Sequence, residues 1–273
     1  MSVPLFLFAG VLMENKTYYL TYVVGERGVG KTTSVINIAY QLATDSKVLV
    51  VDLDGQANCS RFFVDEPKAG LEVALTKQMV SPTIVLSPTR YPNIDVITAT
   101  SALNDIVSIF YALPPNMQRE NAEKIIKGTE NLWHNKYDYV LVDLPPALNK
   151  ITENIISVCD YVFVPIELGT FAIQGIPTVT GIISDCGAKF GGCYVNKFDR
   201  ENPADIMLME MLKNSLGTKA LNSYIPFSRV VKNSVSFKVT APEYMGWTYA
   251  AECCSNLAKE IIGICCKEDG KGA

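Results

Sequence analysis

The sequence predicts an α/β fold: a mostly parallel, twisted sheet with helices on both faces. Three observations predict it. Apolar, strand-like runs alternate with segments of helical spacing along nearly the whole chain. Two of those runs, Lys47–Asp52 and Tyr137–Asp143, are almost continuously apolar and end in a carboxylate. Between the first strand and the first helix stands a glycine-rich segment, Gly25-Glu26-Arg27-Gly28-Val29-Gly30-Lys31-Thr32.

The first thirteen residues are apolar and uncharged. They lack the positive start and the cleavage site of a secretory signal. They read either as sequence upstream of a start at Met13 or as an extension packed on the domain. Tyr18–Val24 is the first strand. The helix behind the glycine segment runs over Thr33–Ala43, with Val35, Ile38, Ala39 and Leu42 on one face. Lys47–Asp52 is the second strand. A stretch containing Pro82, Pro88 and Pro92 reads as irregular connection before a third strand, Ile94–Ala99. Helices are expected over Ala102–Ala112 and Asn116–Asn135, then the fourth strand, Tyr137–Asp143. Tyr161–Pro165 and Gly192–Asn196 are further strands, joined by a helix over Phe171–Asp185. Leu221–Ile225 is a last short strand and Thr248–Cys265 a closing helix. No composition break or repeat divides residues 14–273, which read as one domain.

The net charge of −4 argues against a protein that coats nucleic acid over its whole surface. No run approaches the ~20 apolar residues of a membrane span. Eight cysteines occur without a C-x-x-C pair, and the single histidine, His134, has no cysteine near it. Buried free thiols are the expectation, rather than zinc ligands. Cys253 and Cys254 fall in a helical pattern that reads as core.

The glycine segment fits G-x-x-x-x-G-K-[ST] at every fixed position, between strand and helix, and so reads as a phosphate-binding loop. Gly25, Gly28 and Gly30 let backbone N–H groups of the loop, Val29 included, converge on phosphate oxygens, and the helix terminus adds its dipole. Lys31 supplies a point charge and the Thr32 hydroxyl a ligand for Mg²⁺. In open α/β sheets ligands sit beyond the carboxyl ends of the strands, where Asp52, Asp54 and Asp143 stand. Asp143, after Tyr139-Val140-Leu141-Val142, suits the carboxylate that holds the metal's coordination shell.

Four ordered motifs resemble those of ParA-type partition ATPases. Val51-Asp52-Leu53-Asp54-Gly55-Gln56-Ala57-Asn58 is similar to D-x-D-P-Q-G-N, and Tyr137–Leu148 to Y-D-x-[IV]-[IL]-[IV]-D-x-P-P-x-L. Asp160–Ile166, followed by Ala172-Ile173-Gln174-Gly175, resembles the family's later strand and helix; Ile225-Pro226 through Phe237 resembles its I-P…F element. The resemblance implies an Mg-ATPase that forms an ATP-dependent homodimer with nucleotide between the subunits. It implies that Lys31 binds phosphates, Thr32 the metal and Thr33 the α-phosphate. It gives Asp54 the attacking water, Asp52 a metal-bound water, Asp143 the Mg²⁺ shell and Asn196 the adenine. Non-specific DNA and an adaptor DNA-binding protein of ParB type are the implied partners. The implied location is cytoplasmic and nucleoid-associated, with no membrane partner.

Two departures stand out. The family's K-G-G-x-G-K-T-[TS] has Glu26 and Arg27 at its first two positions here, so its signature lysine is missing. Arg27 either binds phosphate in its place or lies in solvent. Asp54 is followed by Gly55, and Ala57 replaces a glycine, a change expected only to loosen a loop. The missing lysine keeps open a second reading, a weakly hydrolysing ATP-dependent regulatory or scaffold switch. A MinD-like membrane helix is disfavoured, since Cys265–Gly270 is short and mixed in charge. For DNA, the window between Glu210 and Glu243 holds Lys213, Lys219, Arg229, Lys232 and Lys238 and no acidic residue. It reads as a DNA-facing surface or as an ordinary solvated face.

Overall fold

The computed structural model describes residues 17–22, 28–65, 70–71, 73, 85–103, 112–128, 133, 136–246 and 248–268. The expectations for residues 1–13, for Gly25, Glu26 and Arg27, for His134 and for most of the helix over Ala102–Ala112 lie outside these residues.

Among the described residues, eight strands form one sheet: β1 (Tyr18–Tyr22), β2 (Val48–Asp52), β3 (Leu86–Pro88), β4 (Ile94–Ile97), β5 (Tyr139–Asp143), β6 (Tyr161–Glu167), β7 (Lys189–Phe198) and β8 (Ile225–Pro226). Their order is β3-β4-β2-β5-β1-β6-β7-β8, and every pairing is parallel except β3 with β4. The helices are α1 (Lys31–Leu42), α2 (Asn58–Phe63), α3 (Pro115–Lys127), α4 (Lys150–Ile156), α5 (Thr170–Asp185), α6 (Pro203–Leu216), α7 (Arg229–Ser236), α8 (Ala241–Met245) and α9 (Tyr249–Glu268).

Alternation along the strands explains the two-sided core. Tyr18, Leu20 and Tyr22 of β1, with Val48 and Val50 of β2, pack with Val35 and Ile38 of α1 and Leu257 and Ile261 of α9. Tyr19, Leu49, Val51, Val140 and Val142 point the other way, into a cluster holding Ile125 of α3, Ile155 of α4, Ile176 of α5 and Leu212 of α6. Helices thus cover both faces, as predicted.

Several local expectations are corrected. The stretch with Pro88 contains edge strand β3, whose antiparallel pairing joins Leu86 to Ile97; an edge strand tolerates the proline. The helix expected to reach Asn135 stops at Lys127, where Gly128 turns the chain at φ 78°. The last strand is only Ile225–Pro226, with an isolated bridge from Cys193 to Ala220 before it. Helices α2, α4, α6, α7 and α8 were not expected, although Asn149, Asn202, Ser228 and Thr240 stand at the N-caps of the last four. β7 is longer than expected. It passes through an irregularity in which Val162 faces Phe190 while Phe163 faces Gly192. A Cβ on Gly191 would lie 2.6 Å from the Phe163 ring.

Candidate nucleotide-binding site

The sheet order sets three chain ends side by side. In register, Tyr22 pairs with Asp143, and Asp143 with Asp52. The two strand-end carboxylates therefore lie beside the end of β1, the strand that precedes α1. Gly28 and Gly30 take left-handed backbone at φ 82° and 85°, the conformation glycine allows most cheaply. Gly30 is the N-cap of α1 and offers no side chain to the helix's first N–H groups. No acidic residue stands in that first turn. The open terminus can accept an anion. The Gly30 carbonyl receives both the N–H and the hydroxyl of Ser34, each at 2.9 Å.

Lys31 is buried against this floor. Burial lowers its pKa, and the nearby charges of Asp143 and Asp54 counter that shift. Thr32 donates its hydroxyl to Asp143 Oδ2 at 2.7 Å, and Thr33, next on the helix, is half-buried. Asp143 is 1% exposed, and its other oxygen, Oδ1, has no hydrogen-bond partner among the described residues. Burial first, then the charge of Asp52, push its carboxyl well above the ordinary range; Thr32 and Lys31 oppose this. A buried carboxylate oxygen without a partner is costly, and a cation or its bound water supplies the missing partner. Thr32 and Asp143 thus fit Mg²⁺.

Asp52 is tied to the chain segment that follows it. Its Oδ2 accepts from the Ser60 N–H (2.8 Å) and hydroxyl (2.7 Å), and its Oδ1 from the Asp54 N–H (3.0 Å). Burial pushes its pKa to about 6 against those hydrogen bonds. Ser60, in turn, accepts from the Ala99 N–H. Asp52 therefore folds the segment after β2 onto the sheet. Asp54 is half-buried and caps its own turn, accepting from the Gln56 N–H at 2.9 Å. Ala57 has φ 52°, so the exchange of glycine for alanine strains this turn rather than loosening it.

Asn196, in β7, is buried and donates from Nδ2 to the Val29 carbonyl at 2.6 Å. Further along the same chain segment lies a cleft of about 390 Å³ beyond the ends of β7 and β8. Its walls include Phe198, Tyr224, Phe227 and Tyr249, with Asp199 and Arg200 at its polar side. Sequence reasoning missed this cleft, because its aromatic residues come from three separate segments.

Two residues of the basic window are engaged with other parts of the chain. Lys219 donates to the Phe190 carbonyl, and Lys238 pairs with Asp65 at 2.6 Å. Lys213 is exposed on α6, while Arg229 and Lys232 are exposed one turn apart on α7. All eight cysteines are free, six of them buried, Cys253 and Cys254 included. Among the described residues no cluster of His, Cys, Asp and Glu could hold a metal by itself, and no helix is long and apolar enough to cross a membrane.

An uncapped helix start that sets lysine and threonine over buried strand-end carboxylates is how a P-loop nucleotide-binding protein receives a triphosphate, and the chain is of that class. Residues 23–190 match the family described as AAA domain. The chain belongs to that family, within the ParA-type P-loop ATPase superfamily. It is 27% identical over 253 residues to the chromosome partitioning protein ParA of Caulobacter vibrioides, covering 86% of this chain and 90% of that one. It is 28% identical over 244 residues to the sporulation initiation inhibitor protein Soj of Bacillus subtilis, covering 86% and 94%. The ATP complex of a Cyanothece McdA variant has the same fold, with a TM-score of 0.75 at 20% identity over 92% of this chain and 98% of that one. So has the MinD of Pyrococcus horikoshii complexed with Mg-ADP, with a TM-score of 0.76 at 20% identity over 90% and 96%.

Proposed function

We propose that this protein is an Mg-ATP-dependent switch of the ParA type that hydrolyses ATP and acts in the partition or positioning of DNA or of a large complex. The observation that carries the reading is the bond from Thr32 to Asp143, whose second buried oxygen lacks a partner beside the open start of α1. Loop N–H groups of Gly25, Gly28, Val29 and Gly30 bind phosphate oxygens, Lys31 neutralises their charge, and Thr33 reaches the α-phosphate. Thr32 and Asp143 would hold Mg²⁺, which would supply positive charge to offset that of the phosphates. Asp54, at the mouth of the site, orients the attacking water. Asp52 supports that task from below through the Asp54 N–H.

In this reading the cycle involves non-specific DNA and a ParB-type adaptor, in the cytoplasm and at the nucleoid, as the resemblance to partition ATPases implies; relatives named for chromosome partitioning support it. An ATP-dependent homodimer suits α5, which carries no charged residue before Asp185 and leaves Phe171 85% exposed. Apolar surface of that kind marks interaction sites. The second reading, a switch that hydrolyses poorly, is favoured by Glu26 at the signature-lysine position. In the leading reading Arg27 takes the lysine's place, its planar guanidinium binding phosphate oxygens in pairs. Arg27→Ala then loses ATP-dependent dimerisation and turnover; a variant that behaves as wild type favours the poor hydrolyser.

The central test compares two variants by ATP titration and phosphate release. Lys31→Ala is expected to lose ATP binding. Asp54→Ala is expected to keep ATP and Mg²⁺ and to lose hydrolysis by roughly 10²-fold or more. Equal loss of ATP affinity in both variants removes the role given to Asp54.

A further inference from the structure

We propose that Ser60 is a positioning residue for ATP hydrolysis, fixing the Asp52 carboxylate so that it in turn sets the backbone of Asp54. The inference deepens the reading of Asp54 as the residue that orients the attacking water, and it rests on that reading. Ser60 lies in the first turn of α2 and is 1% exposed. It grips Asp52 twice at one oxygen: Oδ2 accepts the Ser60 N–H at 2.8 Å and the Ser60 hydroxyl at 2.7 Å. A third bond fixes the direction of the second. The Ala99 N–H, which can only donate, reaches the Ser60 hydroxyl oxygen at 2.8 Å. That oxygen accepts there and gives its single proton to Asp52.

Three chain segments meet at this hydroxyl. Asp52 ends β2, Ser60 belongs to α2, and Ala99 stands just past the end of β4, the sheet neighbour of β2. The sheet fixes the backbone as far as Leu53, whose N–H reaches the Asp143 carbonyl at 2.9 Å. Beyond it the chain leaves the sheet, and the Asp54 N–H is held by Asp52 Oδ1 at 3.0 Å. The rest of the turn hangs on Asp54 itself. Its carbonyl accepts from the Ala57 N–H at 2.7 Å and its own Oδ1 from the Gln56 N–H at 2.9 Å.

The hold on the Asp54 N–H has a fixed direction only while the Asp52 carboxylate cannot turn. A carboxylate rotates broadly about its last torsion. Two donors on Oδ2 stop that rotation and leave Oδ1 facing the Asp54 N–H, and bonds to an ionised group are the strong ones. Without the hydroxyl, Asp52 keeps one donor at Oδ2, and the Ala99 N–H, on a residue 1% exposed, loses its bond. Phosphate and metal are assigned to other segments, Lys31 and Thr32 on α1 and Asp143 on β5. Misplacement of Asp54 is therefore read in turnover and not in ATP affinity.

The test measures ATP affinity by calorimetry and single-turnover hydrolysis in Mg²⁺ for wild type, Ser60→Ala and Ser60→Thr, and repeats Ser60→Ala in an Asp54→Ala background. Ser60→Ala is expected to slow hydrolysis roughly tenfold while ATP affinity stays within about twofold. Ser60→Thr keeps the hydroxyl and is expected to stay within about threefold of wild type. Behind Asp54→Ala, the Ser60 exchange is expected to cost nothing further, because the group it positions is gone; a merely structural role adds its loss in both backgrounds. Thermal melts check folding, and Ser60→Cys, with its weak donor, replaces Ser60→Ala if that variant does not fold. Wild-type turnover in Ser60→Ala, an equal loss of ATP affinity, a Ser60→Thr as slow as Ser60→Ala, or an undiminished loss behind Asp54→Ala each overturns the proposal. Asp54→Ala turning over like wild type overturns instead the reading of Asp54, a separate and recognisable failure.

Discussion

Ala57 shows how one side chain can work against its own backbone. A left-handed alanine costs about 1–2 kcal/mol, and glycine relieves most of that while loosening the unfolded chain by about 0.5–1 kcal/mol. Ala57→Gly is therefore expected to stabilise the protein by up to about 1 kcal/mol, read as a raised midpoint in urea denaturation. A lowered midpoint refutes that account. The site residues divide by the same local logic. Lys31, Thr32 and Asp143 are brought together by the register of β1 with β5. Asp52 is anchored by Ser60, eight residues on, whose hydroxyl was silent in the sequence pattern.

At the scale of elements, the start of α8 depends on Glu243. Its Oε2 accepts from the Thr240 N–H and hydroxyl, both at 2.8 Å, and from the Tyr91 hydroxyl at 2.7 Å, which ties the helix to the turn before β4. Burial raises the Glu243 pKa, but Tyr91, Thr240 and Arg90 outweigh it, so the carboxyl sits below its ordinary value. A depressed carboxylate contributes stability above its unfolded pKa, near 4.3, and that stability is lost as pH falls through the folded value. Glu243→Gln is expected to cost about 1–2 kcal/mol at neutral pH and to flatten the decline between about pH 5 and about pH 3. Denaturation midpoints across that range measure both effects, and an unchanged slope contradicts the assignment. On α7, Arg229 and Lys232 are the two exposed cations one turn apart. If they meet phosphates, Arg229→Glu with Lys232→Glu weakens DNA binding for all sequences alike and reduces its salt dependence. Unchanged binding moves the DNA surface elsewhere.

For the whole molecule, α5 carries an uncharged length on which Phe171 is 85% exposed, more than any other large hydrophobic side chain among the described residues. Phe171→Asp is expected to abolish ATP-dependent dimerisation in light scattering while leaving ATP affinity of the monomer within about twofold, because Phe171 is solvent-facing. Dimerisation at the wild-type level places the interface on another face. The α/β class, the phosphate loop and Asp143 were legible in the sequence alone, since each is written in contiguous residues: apolar runs, glycines at fixed spacing, a carboxylate at a strand end. Helix caps such as Asn149 and Ser228 were equally local but stand before helices of only seven and eight residues, and were passed over. The partners of Asp52, the grip of Asn196 on Val29 and the pairing of Lys219 and Lys238 were decided by tertiary structure. Each depends on which strands become neighbours, and strand order is set by packing between residues far apart in the chain. The sequence by itself determined the phosphate-loop motif that precedes α1; only the folded sheet decided which side chains stand beside it.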